Sequence, residues 1–513
     1  MDAAEPCLRH MHTESINPRI RSLNAYEVNS RGRFVLYWMT ANRRSVWNHA
    51  LDRALEWSRE LGKPLLVLEA LRVDYPWASE RMHRFVLQGM RDNLDAFGKA
   101  GVRYYPYVER QVGEGRGLLK SMAEEACVVI ADDWPHGFAP RMLSSATEQV
   151  SVPMEAVDSV GLWPVRGLGI PFSKPFSRAY DFRRFLQKEL EPALHHGPKA
   201  SPLKGYEAPS KARISRLIQE RWPECTSAWL RAEDSLAALP LDHSVQAVDL
   251  RGGPKNGQRL LTSFVARGLP KYNEKRTDLD CQGTSGLSPF LHFGHVSTHQ
   301  ILHAAAKSEG WKLSMLDATT QQRKGGRLGW WQMGAAVETF LDQVVTWREL
   351  GFHRSALDSK FGSFEGLPAW ALTSLQEHSA DPRPYLYSHQ QFEAAETHDE
   401  LWNAAQNQLR REGILHNYMR MLWGKKILHW SRSPKAAYTT MVELNNKYAL
   451  DGRDPNSDSG IGWVCGLFDR AWGPERPVFG KIRYMSSANT RRKLRVNAYV
   501  ARHNQEPTQG RLF

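Results

Sequence analysis

Cysteine is scarce in this 513-residue chain: Cys7, Cys127, Cys225, Cys281 and Cys465 are scattered, with no CxxC spacing. That pattern excludes a readable disulfide framework or thiolate metal site, and it gives no sign of an iron–sulfur cluster. Cys7, His10 and His12 sit close together, but at a terminus they read as an unstructured segment rather than a metal site. Long apolar runs are also missing, and nothing approaches the ~20 residues that would span a bilayer. Residues 1 to 20 are polar and broken by Pro6 and Pro18, unlike a signal peptide, so the expected location is the cytoplasm or nucleus. A GxGxxG turn is absent after the first apolar strand, where TANRRS stands instead, so the chain lacks a dinucleotide-binding fingerprint.

What is abundant is positive charge and tryptophan. Lys and Arg number 68 against 55 Asp and Glu, a net +13, which favours an anionic partner; nucleic acid is the common one. Eighteen tryptophans beside that charge suit the stacking of single-stranded or flipped bases, although most of them are expected to be packing anchors.

The first third alternates apolar strands with amphipathic helices. Strands are predicted at 33–40, 65–71, 102–108 and 127–134, and helices near 44–61, 80–99 and 117–126. Strict alternation predicts an α/β unit with a doubly wound parallel sheet, able to hold a ligand at its sheet edge but a poor place for a main cofactor. The run HHGPKASPLKGYEAPSKA (195–212) reads as a connector, and beyond it helical patterns continue to about 450, so the second unit is expected to be all-α. The expected division is a flexible tail at 1–27, an α/β domain at 28–175, a connector at 176–235 and a helical domain at 236–513. QQRKGGRLG (321–329) reads as a basic surface loop.

THDELWNAAQNQLRREG predicts a helix that opens with Thr397 and Glu400 as a capping box and stops at Gly413. A second helix, from Ile414 to about Trp430, is apolar nearly all round and so predicted to be buried. Arg420 inside it demands a carboxylate or an anionic ligand, since an unpaired buried guanidinium costs several kcal/mol. His416, Arg420, Trp423 and Trp430 share roughly one face. Trp423 and Trp430 are two turns apart, ~10 Å of rise. That spacing fits a packing stripe, and it equally fits electron hopping between indoles with Trp402 as a third station.

THDELWNAAQ, MRMLWGKKILHW, ALDGRDPN, GIGW, DRAWG and GKIRYMS together resemble the C-terminal half of class II photolyases in the photolyase/cryptochrome family. GLSPFLHFGHVS and WREL fit the same pattern, and the resemblance covers residues 30 to 505. It implies FAD in the helical domain, an antenna α/β domain and blue-light repair of cyclobutane pyrimidine dimers in DNA, by a monomer without a membrane partner. Carried over residue by residue, Trp402, Trp423 and Trp430 resemble the tryptophan chain that photoreduces the flavin. Arg420 and Asp451 resemble the ion pair beside its ring, and Asn445 the asparagine facing N5, where an amide favours the reduced ring. Tyr272, Ser285, Gly286, Leu287 and Ser288 match the stretch holding the FAD diphosphate. Ser288 followed by Pro289 also reads as an N-cap and first-turn pair offering backbone N–H groups to phosphate. Trp347 and Trp463 match the walls of the lesion pocket. Arg276 resembles the arginine that enters the bubble left by the flipped lesion, or else is an ordinary phosphate contact.

The pattern breaks at two places. Gln343, one helical turn before Trp347, stands where dimer repair enzymes of the family carry a glutamate that bonds the thymine edge and supplies protons. Asn417 replaces a usual glycine. Glutamine at this position is also found in (6-4) photolyases and animal cryptochromes, but the (6-4) histidine pair is missing, with Asn417 and Met421 in its places. A light-driven lyase is therefore expected, with a cryptochrome-like photoreceptor or regulator as the alternative. A flavin- or nucleotide-binding protein with unrelated chemistry is a third reading. The antenna is open between 8-hydroxy-5-deazaflavin, a folate and none.

Overall fold

The computed structural model describes residues 17–166, 174–281, 283–316 and 324–505. The grouping of Cys7, His10 and His12, the first part of the 1–27 tail and residues 321–323 of the basic loop lie outside the described residues.

Six strands form one sheet: β1 (Ile20–Ser22), β2 (Phe34–Trp38), β3 (Leu65–Leu71), β4 (Arg103–Val108), β5 (Ala126–Asp132) and β6 (Met154–Val157), in the order β1-β6-β5-β2-β3-β4. β2 to β6 pair in parallel and are buried almost throughout, as near-continuous Val/Leu/Ile runs covered on both faces should be. The parallel expectation fails at one edge. β1 pairs antiparallel with β6, so the sheet is mixed and an ordered strand lies within the stretch expected to be a flexible tail. Its sequence, Ile-Arg-Ser, offers a single apolar residue, too little to mark a strand. The neighbouring Arg19 anchors it instead, since its buried guanidinium donates to the carbonyls of Asp158, Gly161 and Leu162.

Helices α1 (His49–Leu61), α2 (Glu80–Lys99), α3 (Leu118–Glu124) and α4 (Ala139–Gln149) cover the sheet. α1 begins five residues later than its periodicity suggests, because residues 40–42 wrap round a carboxylate. Asp132 at the end of β5 accepts from the backbone N–H groups of Thr40, Ala41 and Asn42 at 2.8–2.9 Å, and from the Tyr37 hydroxyl at 2.8 Å. The amides that a dinucleotide phosphate would need after the first strand are thus taken by the protein's own Asp132.

Beyond α5 (Ala179–His195) the chain has no regular element until Arg216, and Tyr206 within this stretch packs back onto the α/β unit with its hydroxyl 2.7 Å from Ser58 Oγ. The rest is helical and shares a large apolar core with α2 and α5. Buried polar contacts join the two units. Glu349 accepts from the N–H groups of Leu162 and Trp163 at 2.7 and 3.1 Å, and Arg348 donates to the Val160 carbonyl at 3.1 Å. The WREL motif is therefore an interdomain clamp, and burial raises the Glu349 carboxyl to about 7. Among the described residues no helix is long and apolar enough to cross a membrane.

Candidate active site

Four helices build the centre of the helical unit: α6 (Glu400–Glu412), α7 (Asn417–Trp430), α8 (Pro434–Tyr448) and α9 (Pro455–Val464). α6 is capped by Asp399, which accepts from the N–H groups of Leu401 and Trp402, whereas the Thr397 hydroxyl turns to Asn403 Oδ1 at 2.7 Å. The Thr397–Glu400 capping box is thus corrected by two residues: the Asp399 carboxylate, immediately before the helix, reaches the first-turn amides directly. α6 ends at Gly413, in the left-handed conformation with φ 67°. α7 starts at Asn417 rather than Ile414, with His416 Nδ1 accepting from Tyr418 N at 3.3 Å as its cap.

α7 is buried on nearly all sides, and its arginine finds the partner that burial demands. Arg420 Nη2 meets both oxygens of Asp451 at 2.8 and 3.1 Å, and Nη1 donates to Asn445 Oδ1 at 3.2 Å. Three sequence-predicted residues from α7, α8 and the turn after α8 thus form one constellation.

Trp402, Trp423 and Trp430 are all fully buried. The indole N–H of Trp402 donates to the Trp423 carbonyl at 3.0 Å, and the Trp402 and Trp430 rings stand 6.2 Å apart, edge to face. Two further rings, missed in the sequence, continue outward from Trp430: Tyr387 at 5.7 Å and His398 at 4.9 Å, joined to each other by a 2.6 Å bond from the tyrosine hydroxyl to Nδ1. They flank a short helix, His389–Ala394, that precedes α6, and lie outside it, so no helical period marks them.

Tyr272 is buried edge-on against Phe264 and Phe340, and the half-buried Arg276 folds over its ring, 5.7 Å from the centroid. Ser285 and Gly286 form a tight turn, with Leu287 N donating to Ser285 Oγ at 3.3 Å and Gly286 at φ +65°. The Ser288–Pro289 cap is corrected here. Leu287 occupies the cap position, Ser288 is the first residue of a five-residue helix ending at His292, and no side chain caps it.

Gln343 and Trp347 lie on a π-helical segment, Asp342–Trp347, where both are half-buried while the residues between them are buried. Wide π turns recur at functional sites because they push side chains out of the ladder. Asp342 is clamped by Arg183 of α5 through two bonds at 2.7 and 3.1 Å. Trp463, at the end of α9, is half-buried too, and beneath it lies Lys425 of α7. The Lys425 ammonium is fully buried, donates to the Val464 carbonyl at 2.7 Å and stands 5.0 Å from the Trp463 ring. Burial lowers its pKa to about 7, against 10.5 in the unfolded chain. The folded state therefore loses stability below pH 7, where both forms are charged, and recovers it as pH rises toward 10.5. Lys425→Met is expected to stabilise the protein by roughly 2–4 kcal/mol at pH 6. Thermal melts of both proteins at pH 6 and pH 9 check this: the advantage of the variant should shrink at the higher pH.

A cavity of about 860 Å³ opens at the carboxyl ends of the strands, lined by Trp38, Arg43, Leu68, Phe138, Arg141 and Arg453 among others. Chain order reverses between β2 and β5, and ligands of open α/β sheets bind at such a switch point. The cavity reaches the helical unit through Arg453 and Asn446, which no local pattern could announce. Among the described residues no cluster of metal-ligand side chains occurs.

No family model matches the chain. It is 33% identical over 487 residues to a deoxyribodipyrimidine photo-lyase of Methanothermobacter thermautotrophicus, covering 94% of this chain and 97% of that protein. The chain belongs to the photolyase family. A second photolyase, from rice, is 31% identical over 91% of this chain and 87% of its own length. Of plant cryptochrome-1 from Arabidopsis thaliana, a 51-residue stretch is 43% identical, covering 10% of this chain and 8% of that one. Among solved structures, a bacterial class III photolyase from Agrobacterium tumefaciens superposes with a TM-score of 0.64 over 92% of this chain and 86% of its own, at 18% identity. That likeness places this photolyase in the fold.

Proposed function

We propose that this photolyase is a class II enzyme that splits cyclobutane pyrimidine dimers in DNA with FAD held in its helical unit. The observation that carries the reading is the Arg420–Asp451–Asn445 constellation set beside three buried tryptophans. The donor set fits the polar edge of a flavin: a guanidinium that can only donate, a carboxylate that balances it, and an amide oxygen with a lone pair to spare. The Ser285–Gly286 turn and Tyr272 would hold the diphosphate end. When bound, reduced flavin supplies light absorption and an electron that returns once the cyclobutane bonds have opened.

The chain's own residues do the rest. Net charge of +13 draws the duplex, and Arg276 is positioned to meet its backbone or the gap left by the extruded lesion. Trp347 and Trp463 stack on the flipped bases, while Gln343 offers an amide N–H to the pyrimidine edge. Trp402, Trp423 and Trp430 form a relay for electrons from the protein surface toward the site. The cavity at the sheet's carboxyl edge is the place for an antenna chromophore, 8-hydroxy-5-deazaflavin or a folate.

Gln343 favours a second reading, a cryptochrome-like photoreceptor with little repair, because an amide carries no transferable proton. Binding and blue-light repair of a thymine-dimer oligonucleotide by purified, photoreduced protein decide between the two. The lyase reading expects strong preference for the dimer over undamaged DNA, and Trp347→Ala should weaken lesion binding about 10- to 100-fold. Equal affinity for damaged and undamaged DNA, with no repair, would sink it.

A further inference from the structure

Asn445 is held in one of its two amide orientations. Arg420, which can only donate, lies 3.2 Å from one terminal atom, so that atom is the oxygen. On the other side Nδ2 donates to Asn446 Oδ1 at 3.1 Å and to Ser457 Oγ at 2.7 Å. Asn446 is itself unable to flip, because its Oδ1 also accepts the backbone N–H of Arg453 at 2.8 Å. That N–H is aimed by a left-handed backbone, φ +61°, at a residue with a side chain, a conformation that L residues rarely adopt. Asn445, Asn446 and Ser457 are all buried, so water does not compete for these bonds. After them Nδ2 has no hydrogen left, and the free capacity of the amide is a single oxygen lone pair.

We propose that Asn446 and Ser457 are positioning residues that lock Asn445 as a pure acceptor, and that the lock is what makes the site prefer reduced over oxidised flavin. The inference rests on the reading of Asn445 as the residue facing flavin N5. Reduced N5 carries a hydrogen, which the remaining lone pair accepts. Oxidised N5 presents a lone pair of its own, which the locked oxygen repels. An unlocked asparagine would rotate and donate Nδ2–H to oxidised N5, so asparagine alone supplies no preference. Because Asn446 also walls the α/β cavity, that cavity lies one hydrogen bond from the Asn445 amide.

The test is the redox equilibrium of FAD bound to the purified holoprotein, read by absorbance against a dye of known potential. Asn445→Ala should lower the ratio of reduced to oxidised flavin at a fixed ambient potential by about tenfold. Asn446→Leu combined with Ser457→Ala should lower it comparably, and should change nothing further in an Asn445→Ala background. Ser457→Ala alone is a mild change that should move the ratio in the same direction by less, which preserves the test if Asn446→Leu does not fold. Lock variants that leave the ratio unchanged while Asn445→Ala lowers it would overturn the proposal, and so would equal shifts with and without Asn445. An unchanged ratio in Asn445→Ala itself overturns both the proposal and the placing of Asn445 at N5.

Discussion

Gln343→Glu is expected to raise light-driven dimer repair by roughly tenfold or more, the scale on which a positioned proton donor acts. Gln343 stands half-buried on the π turn that also carries Trp347, itself half-buried. On the function proposed above, an amide there donates a hydrogen bond to a pyrimidine carbonyl but cannot pass a proton to a carbonyl that has gained negative charge. A carboxyl can do both. Partial burial would hold a glutamic acid protonated above its usual pKa, and the neighbouring Asp342 adds to that upward push to the extent that Arg183 leaves its charge uncompensated. Repaired dimers per absorbed photon, measured for wild type and variant side by side, check the expectation. Equal yields would mean that the amide N–H suffices. A gain from near zero would identify Gln343 as the residue that turns the protein away from repair.

Arg183→Leu is expected to cost about 3–5 kcal/mol, the penalty for leaving one partner of a buried ion pair uncompensated. Arg183 and Asp342 are both nearly sealed from water, and Arg183 also donates to the Gly325 carbonyl at 3.0 Å. The pair fastens α5 to the π turn, so its loss should loosen the stretch that carries Gln343 and Trp347. Arg183→Leu with Asp342→Leu should recover most of the stability, because no charge is then buried, yet lesion binding should stay weaker than in wild type. Thermal unfolding and dimer-oligonucleotide binding of the three proteins test both halves. A single variant as stable as wild type would show that water enters and solvates Asp342.

Some of this architecture needs no tertiary information. The apolar runs of β2 to β5 and the 3.6-residue period of α2 state their own positions within a residue or two, since burial on both faces or one face is written into consecutive side chains. The need of Arg420 for a carboxylate follows from its apolar helix, and the partner is Asp451, 31 positions on. Motif resemblance singled out Asn445, Trp347 and Trp463.

Other features depend on contacts between residues far apart in the chain. β1 is three polar-flanked residues that become a strand only because Arg19 finds carbonyls some 140 positions away. Spacing pointed to Thr397 as the cap, and the fold placed Asp399 there instead, where its side chain reaches the amides. The tryptophans show the same division. The burial of Trp423 and Trp430 was written into α7, but that Trp402 faces Trp430, with Tyr387 and His398 beyond, was settled by the packing of separate segments. So were the cavity at the sheet edge, the lysine under Trp463 and the lock on Asn445. Sequence alone determined which helices are buried and which residue types they bury. Tertiary structure decided which polar atoms meet, because hydrogen bonds act over about 3 Å and the groups they join are set by the fold rather than by distance along the chain.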